Sequence, residues 1–242
     1  MKVTIMTPRW AWPAILILAV LAGIVLVVLS ARQPDHLRVG GAFALSGAAA
    51  GEGSDESRGA GLAFQEWFDE NRRGDVDFMV VDAPADDVTT AVNAFRMLVE
   101  SGAKVILGPT GADTATAIGP IADREKVLII SPVLESSAEA LLDHEYFLAV
   151  CTSRVLERKG TVTQPMNAFR RSFEQEYGEA PRSTAAACAY DSARMLLHVV
   201  GQGYRKPEKI RSALSNLKKF DGIIANSAVA GRKRDNSFQQ SN

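Results

Sequence analysis

The chain has 242 residues and a mass of 26.0 kDa, with 47% hydrophobic and 23% charged residues, so it can bury a core large enough for one or two domains. Lys and Arg number 27 against 28 Asp and Glu, for a net charge of -1 and a pI near 6.3. That balance excludes the basic footprint of a nucleic-acid-binding protein.

The first predicted element is apolar. Residues 10–31 carry no charge and include AILILAVLAGIVLVVL, and about 20 apolar residues suffice to cross a bilayer as a helix. Lys2 and Arg9 precede it, and Trp10 and Trp12 stand where interfacial aromatics belong, which orients the N-terminus inward. The segment reads either as an uncleaved single-pass anchor or as a secretory signal cleaved after Val28-Leu29-Ser30. Both readings export residues 32–242 to the periplasm. Export would allow Cys151 and Cys188 to pair. Lone cysteines among alanines and valines read instead as inert small hydrophobes.

After a polar connector, LRVGGAFAL reads as a buried strand that ends in Ser46-Gly47 and a small-residue loop reaching Asp55. Ala60, Ala63, Phe64, Trp67 and Phe68 then recur at helical spacing, with Glu66, Asp69 and Glu70 largely opposite. VDFMVVD is a second strand, and Asp86 or Asp87 caps a helix striped by Val88, Ala91, Val92, Phe95, Leu98 and Val99. Residues 104–108 form a third strand, 110–125 a helix, 126–131 a fourth strand, 137–142 a short helix and 146–151 a fifth strand. Strands that are nearly continuous apolar runs, alternating with helices, predict a doubly wound α/β fold with a parallel sheet. Ligands of such sheets lie beyond the carboxyl ends of the strands, where the strand order reverses.

Beyond Cys151 a basic link, TSRVLERKGTVTQP, leads to helices predicted at 166–177, 184–200 and 207–217, then FDGIIANSAVAG and a basic tail expected to be disordered. The domain plan is therefore an anchor or signal at 1–31, an α/β lobe at 32–154, a shortened helical part with a return strand at 155–230, and a tail at 231–242.

Tests for catalysis are negative. Gly51-Glu52-Gly53 begins a dinucleotide fingerprint whose third glycine would be residue 56, a glutamate, and no G-x-x-x-x-G-K run exists. His36, His144 and His198 show no metal-ligand spacing, and Ser46 and Ser131 lack a nucleophile elbow. No catalytic residue, metal or cofactor is assigned. Gly108-Pro109-Thr110-Gly111 does bring the chain from a strand into a helix N-terminus, whose free N–H groups suit a carboxylate, with Thr110 and Thr114 as added donors. A plain helix start with Thr110 as its cap fits the same residues.

Motif order adds a resemblance. ALSGAAAGEGSDESRGAGLAFQEW, then VVDAPADDVTTAVNAFRMLVESGAKVILGPTG, then AIGPIADREKVLIISP resemble the first lobe of the type I periplasmic substrate-binding proteins, in their branched-chain amino-acid branch. MNAFRRSFEQEYGEAPRSTAAACAYDSARMLL and FDGIIANSAVAG are similar to the family's C-terminal helices and its return to the first lobe. The resemblance implies two lobes that close on a small polar solute, and a membrane permease of the ABC type that accepts the closed form. It implies ligand-binding positions at Ser46 and Glu52 after the first strand, at Pro109, Thr110, Gly111, Ala112, Asp113 and Thr114 after the third, and at Ser131, Val133 and Glu135 after the fourth. The family's aromatic in the first loop falls on Glu52, its serine on Ala112 beside Asp113, and its threonine on Glu135. Three carboxylates oppose an amino-acid carboxylate; they either select a cationic or amide-like solute or are solvated loop acids. A second lobe of this family would take about a hundred residues, whereas this chain passes directly from Arg154 to Met166. The expected function is an extracytoplasmic solute-binding component of an ABC importer. The alternative is a membrane-anchored sensor or scaffold with little ligand binding.

Overall fold

The computed structural model describes residues 36–71, 74–152, 164–217, 220–224 and 230–231. The expected anchor or signal, the basic link and the tail from residue 232 lie outside the described residues. Among the described residues no helix is long and apolar enough to cross a membrane.

The apolar runs form five strands, β1 (Leu37–Phe43), β2 (Val76–Asp82), β3 (Val105–Leu107), β4 (Leu128–Leu134) and β5 (Phe147–Thr152). They build one sheet of order β2-β1-β3-β4-β5 with every neighbouring pair parallel. Successive side chains point to opposite faces: Val105, Leu107, Leu128, Ile130, Leu148 and Val150 enter one core, while Ile106, Ile129, Phe147 and Ala149 enter the other. β4 runs past Ser131, where the strand was expected to stop. From there only β5 pairs with it, through Val133↔Cys151 and Leu134↔Thr152, so Pro132 lies where β4 is an edge on its other side.

Helices α2 (Val88–Glu100) and α3 (Ala112–Glu125) cover the second core. Helix α1 (Ala50–Asn71) covers the first, joined by α4 (Gln164–Tyr177), α5 (Ala185–Gly201) and α6 (Pro207–Ser215). Of the helices that the sequence left without a sheet, α5 and α6 pack on the same sheet as the preceding strands, and α4 packs on α1. Ala185–Gly201 is buried nearly all round, as expected of a helix enclosed on every side, here by the sheet, α1 and α6.

Three polar ties hold this layer down. Asp55 of α1 accepts from the backbone N–H of Ser183 at 2.7 Å, just before α5. Asp191, fully buried, accepts from Ile223 N at 2.9 Å and Ile224 N at 2.7 Å. Arg205 meets Asp75 at 2.5 Å with both side chains at most 10% exposed. Cys151 of β5 and Cys188 of α5 form a disulfide with Cα atoms 5.9 Å apart, which corrects the reading of both as inert hydrophobes. Among the described residues the return to the lobe is an antiparallel bridge, Ala149↔Ala230.

α1 begins at Ala50, where the sequence reading expected a loop as far as Asp55. Gly51 and Gly53 carry poor helix propensity, but the fold uses the missing side chains. A Cβ on Gly53 would collide with the Ala44 carbonyl, and one on Gly59 with the Ala186 carbonyl of α5.

Candidate functional site

The strand order reverses between β1 and β3, and the loops that leave these strands meet at the carboxyl edge. After β1 the chain turns into α1, so Glu52 stands exposed in its first turn and Glu56 one turn deeper, 1% exposed. After β3, Gly111 with φ 89° caps α3 without a side-chain bond. Thr110 is not the cap. It is buried, its hydroxyl oxygen accepts from Ala44 N at 3.1 Å, and its proton is donated to Glu56 Oε2.

The pocket at this edge is lined by Glu52, Glu56, Gly111, Ala112, Ala115, Val133, Leu134 and Glu135, and encloses about 10 Å³ of free space. Five of these, Glu52, Gly111, Ala112, Val133 and Glu135, are positions that the resemblance implied. The others lie apart from the lining. Ser46 is exposed, and its N–H, with that of Leu45, is donated to Asp82 Oδ1 at 3.2 and 2.9 Å. Ala48 N bonds Asp86 Oδ2 at 3.2 Å, so the β1 loop spends these amides on its own carboxylates. Pro109 and Thr110 form the buried layer beneath, and Asp113 is exposed on α3. Ser131 is buried with its hydroxyl donated to Val133 O at 2.7 Å. Thr114 is buried and its hydroxyl has no hydrogen-bond partner among the described residues.

Glu56 is the residue that sequence reasoning missed. Burial pushes its carboxyl up to about 8, the Thr110 hydroxyl pulls the other way, and the neighbouring Glu52 and Asp55 add to the rise. The signal was present in the sequence. Residue 56 is in phase with Ala60, Ala63 and Phe64, so an acid falls on the apolar stripe once the helix is extended backwards.

A larger cavity of about 700 Å³ lies away from this edge, between α1 and α5, lined in part by Glu66, Trp67, Tyr190, Arg194 and Phe220. Two of its polar groups meet each other, Tyr190 donating to Glu66 at 2.6 Å, and Arg194 lies over the Tyr190 and Phe220 rings at 5.5 and 5.6 Å. His36, His144 and His198 remain scattered, each beside its own partner, Asp77, Asp123 and Gln202.

Doubly wound sheets of this kind take ligands beyond the carboxyl ends of their strands, at the switch point where this lobe has its small pocket. Residues 36–153 match the family model of the periplasmic binding proteins. No curated protein matches the chain. Solved structures share its fold. The branched-chain amino acid transporter substrate-binding protein LivJ from Streptococcus pneumoniae, in complex with isoleucine, is 16% identical with a TM-score of 0.63, covering 79% of this chain and 91% of that one. The leucine-binding protein LivK from Thermotoga maritima is 14% identical with a TM-score of 0.64, covering 78% and 90%. A solute-binding protein of an ABC transporter from R. palustris, in complex with benzoate, is 14% identical with a TM-score of 0.64, covering 80% and 91%.

Proposed function

We propose that this chain is the extracytoplasmic solute-binding component of an ABC importer, holding a small polar solute at the carboxyl edge of its sheet without catalysis. The observation that carries the reading is the pocket between the α1 start, the α3 start and the β4 end, at the strand-order reversal. Residues 1–31 anchor the chain or export it, and residues 32–242 work outside the cytoplasm, where the partner is a membrane permease. The Cys151–Cys188 disulfide supports an oxidising compartment. Glu52 and Glu135 make the solute cationic or amide-like rather than a free carboxylate. Ser46 and Asp113, exposed at the same edge, contact the solute beyond its head group, while Thr114 is buried.

The test is a thermal-shift and calorimetric series with primary amines, amides, isoleucine and benzoate. Saturable binding of any of these, lost on changing Gly111 or Ala112 to a bulky residue, supports the reading; no binding across the series refutes it. The small free space of about 10 Å³ favours a second reading, a membrane-anchored sensor or scaffold that binds little. That reading predicts a flat series and capture of a membrane protein through the intact lobe.

A further inference from the structure

Glu56 distinguishes the carboxyl-edge pocket from a set of solvated loop acids. Its side chain is 1% exposed and lines the pocket. Thr110 already accepts from Ala44 N, so its hydroxyl proton is committed to Glu56 Oε2. The hydrogen bond that Glu56 makes with Thr110 is at Oε2, which leaves Oε1 as the oxygen not engaged by that contact. A buried carboxyl thus carries one satisfied oxygen and one that is left for an occupant, and in the protonated form the hydrogen sits on Oε1.

The charged groups around it are of one sign. Glu52 on the same helix and Glu135 at the β4 end share the lining, and no Lys, Arg or His does. Asp55, also on α1, is turned to Ser183. Thr110 is the polar neighbour from the loop before α3, whose Asp113 is exposed outside the lining. Asp82 and Asp86, from the β2 end, are spent on the β1-loop amides. Arg58, half a turn further along α1, pairs with Glu179. The α3 N-terminus adds roughly half a positive charge, which the two exposed carboxylates of the lining, Glu52 and Glu135, outweigh. The free space admits one water-sized group; an ammonium head fits it, and a carboxylate with its two oxygens does not.

We propose that this pocket takes the ammonium group of a primary amine, with Glu56 as its buried counter-charge, and that capture of the amine releases the Glu56 proton. The proposal rests on the solute-binding reading above and names its ligand class. The amine arrives as R-NH3+, the O–H bond at Oε1 breaks, its proton leaves to solvent, and the ammonium donates to Oε1. One positive charge replaces another, so the pocket holds its ligand without stranding an ion in the protein interior. Because burial keeps Glu56 protonated to about 8, the exchange falls near neutral pH.

The experiment is isothermal titration of the full chain with propylamine and putrescine at ~pH 7, in buffers of different ionisation enthalpy. The expected result is binding coupled to release of about one proton, with affinity rising about tenfold per pH unit and levelling above about 8. Glu56→Gln abolishes the proton release and the pH dependence; Glu52→Gln, at an exposed position, weakens the amine but keeps the proton release. Should Glu56→Gln fail to fold, the buffer dependence of the unaltered chain decides alone. Amine binding without proton release overturns the proposal. Binding of isoleucine or benzoate in place of amines overturns it and leaves the solute-binding reading standing, whereas no binding of any solute overturns both.

Discussion

Glu56 makes the stability of the lobe depend on pH with a sign opposite to that of an ion-paired acid. In the unfolded chain its carboxyl ionises near 4.5, whereas burial holds it protonated in the folded chain to about 8. Between these values the folded state binds the extra proton, so stability is fullest below the lower value, falls as pH rises and levels above the higher one. Taking 1.36 kcal/mol for each pKa unit, the loss from ~pH 5 to ~pH 9 is about 4 kcal/mol. That is a large share of the 5–15 kcal/mol typical of a folded domain. Glu56→Gln keeps an acceptor for the Thr110 hydroxyl and removes the titration. Urea unfolding followed by circular dichroism at intervals across this range separates Glu56 from every other titrating group, because those are common to both proteins. The difference in unfolding free energy, variant minus unaltered chain, should grow with pH by about 4 kcal/mol and then stop. A difference that stays flat across the range would refute the burial argument, and one that shrinks would refute its sign.

Three further outcomes follow from the layer that α5 forms over the sheet. The disulfide closes a loop of 37 residues, so Cys151→Ala with Cys188→Ala should lower the unfolding free energy by about 4 kcal/mol in the chain-entropy account, read as the urea midpoint. Gly59→Ala places a methyl against the Ala186 carbonyl, a backbone atom that cannot rotate away, and should cost about 1–3 kcal/mol by thermal denaturation, while Gly61→Ala at the more open neighbouring position should not. Arg205→Met leaves Asp75 buried without its partner and should cost about 3–5 kcal/mol, most of it recovered when Asp75→Asn is added; a double variant no more stable than the single one would contradict a buried pair.

The sheet was legible because parallel strands buried on both faces are apolar nearly throughout, and VIL and FLAVCT carry that texture without help from distant residues. The start of α1 was not, since Gly51 and Gly53 read locally as loop. What overrides them is the approach of α1 to the Ala44 carbonyl, a contact between segments that no local pattern encodes. The disulfide was hidden for the same reason: β5 and α5 are brought together by packing of α5 on the sheet, and a spacing of 37 carries no signal of it. At the site, the loops were legible and their chemistry was only half so. Glu52 and Glu135 line the pocket, while Thr110 and Ser131 are spent on Glu56 and Val133 rather than left for a solute.

Glu56 itself marks the place where the sequence departs from its own pattern, an acid set in the stripe of Ala60, Ala63 and Phe64. Local consistency is what makes a chain foldable, and breaks in it concentrate where function is located. Glutamine would accept the Thr110 hydroxyl equally well and would carry no penalty above the ordinary carboxylate range. Leucine would pack against the same apolar neighbours. What the acid alone supplies is a charge that appears at the sheet edge when its proton leaves, next to the exposed Glu52 and Glu135. A pocket of fixed carboxylates attracts any cation; a pocket whose deepest carboxylate must first lose a proton captures one only when the ammonium reaches Oε1 and takes the proton's place.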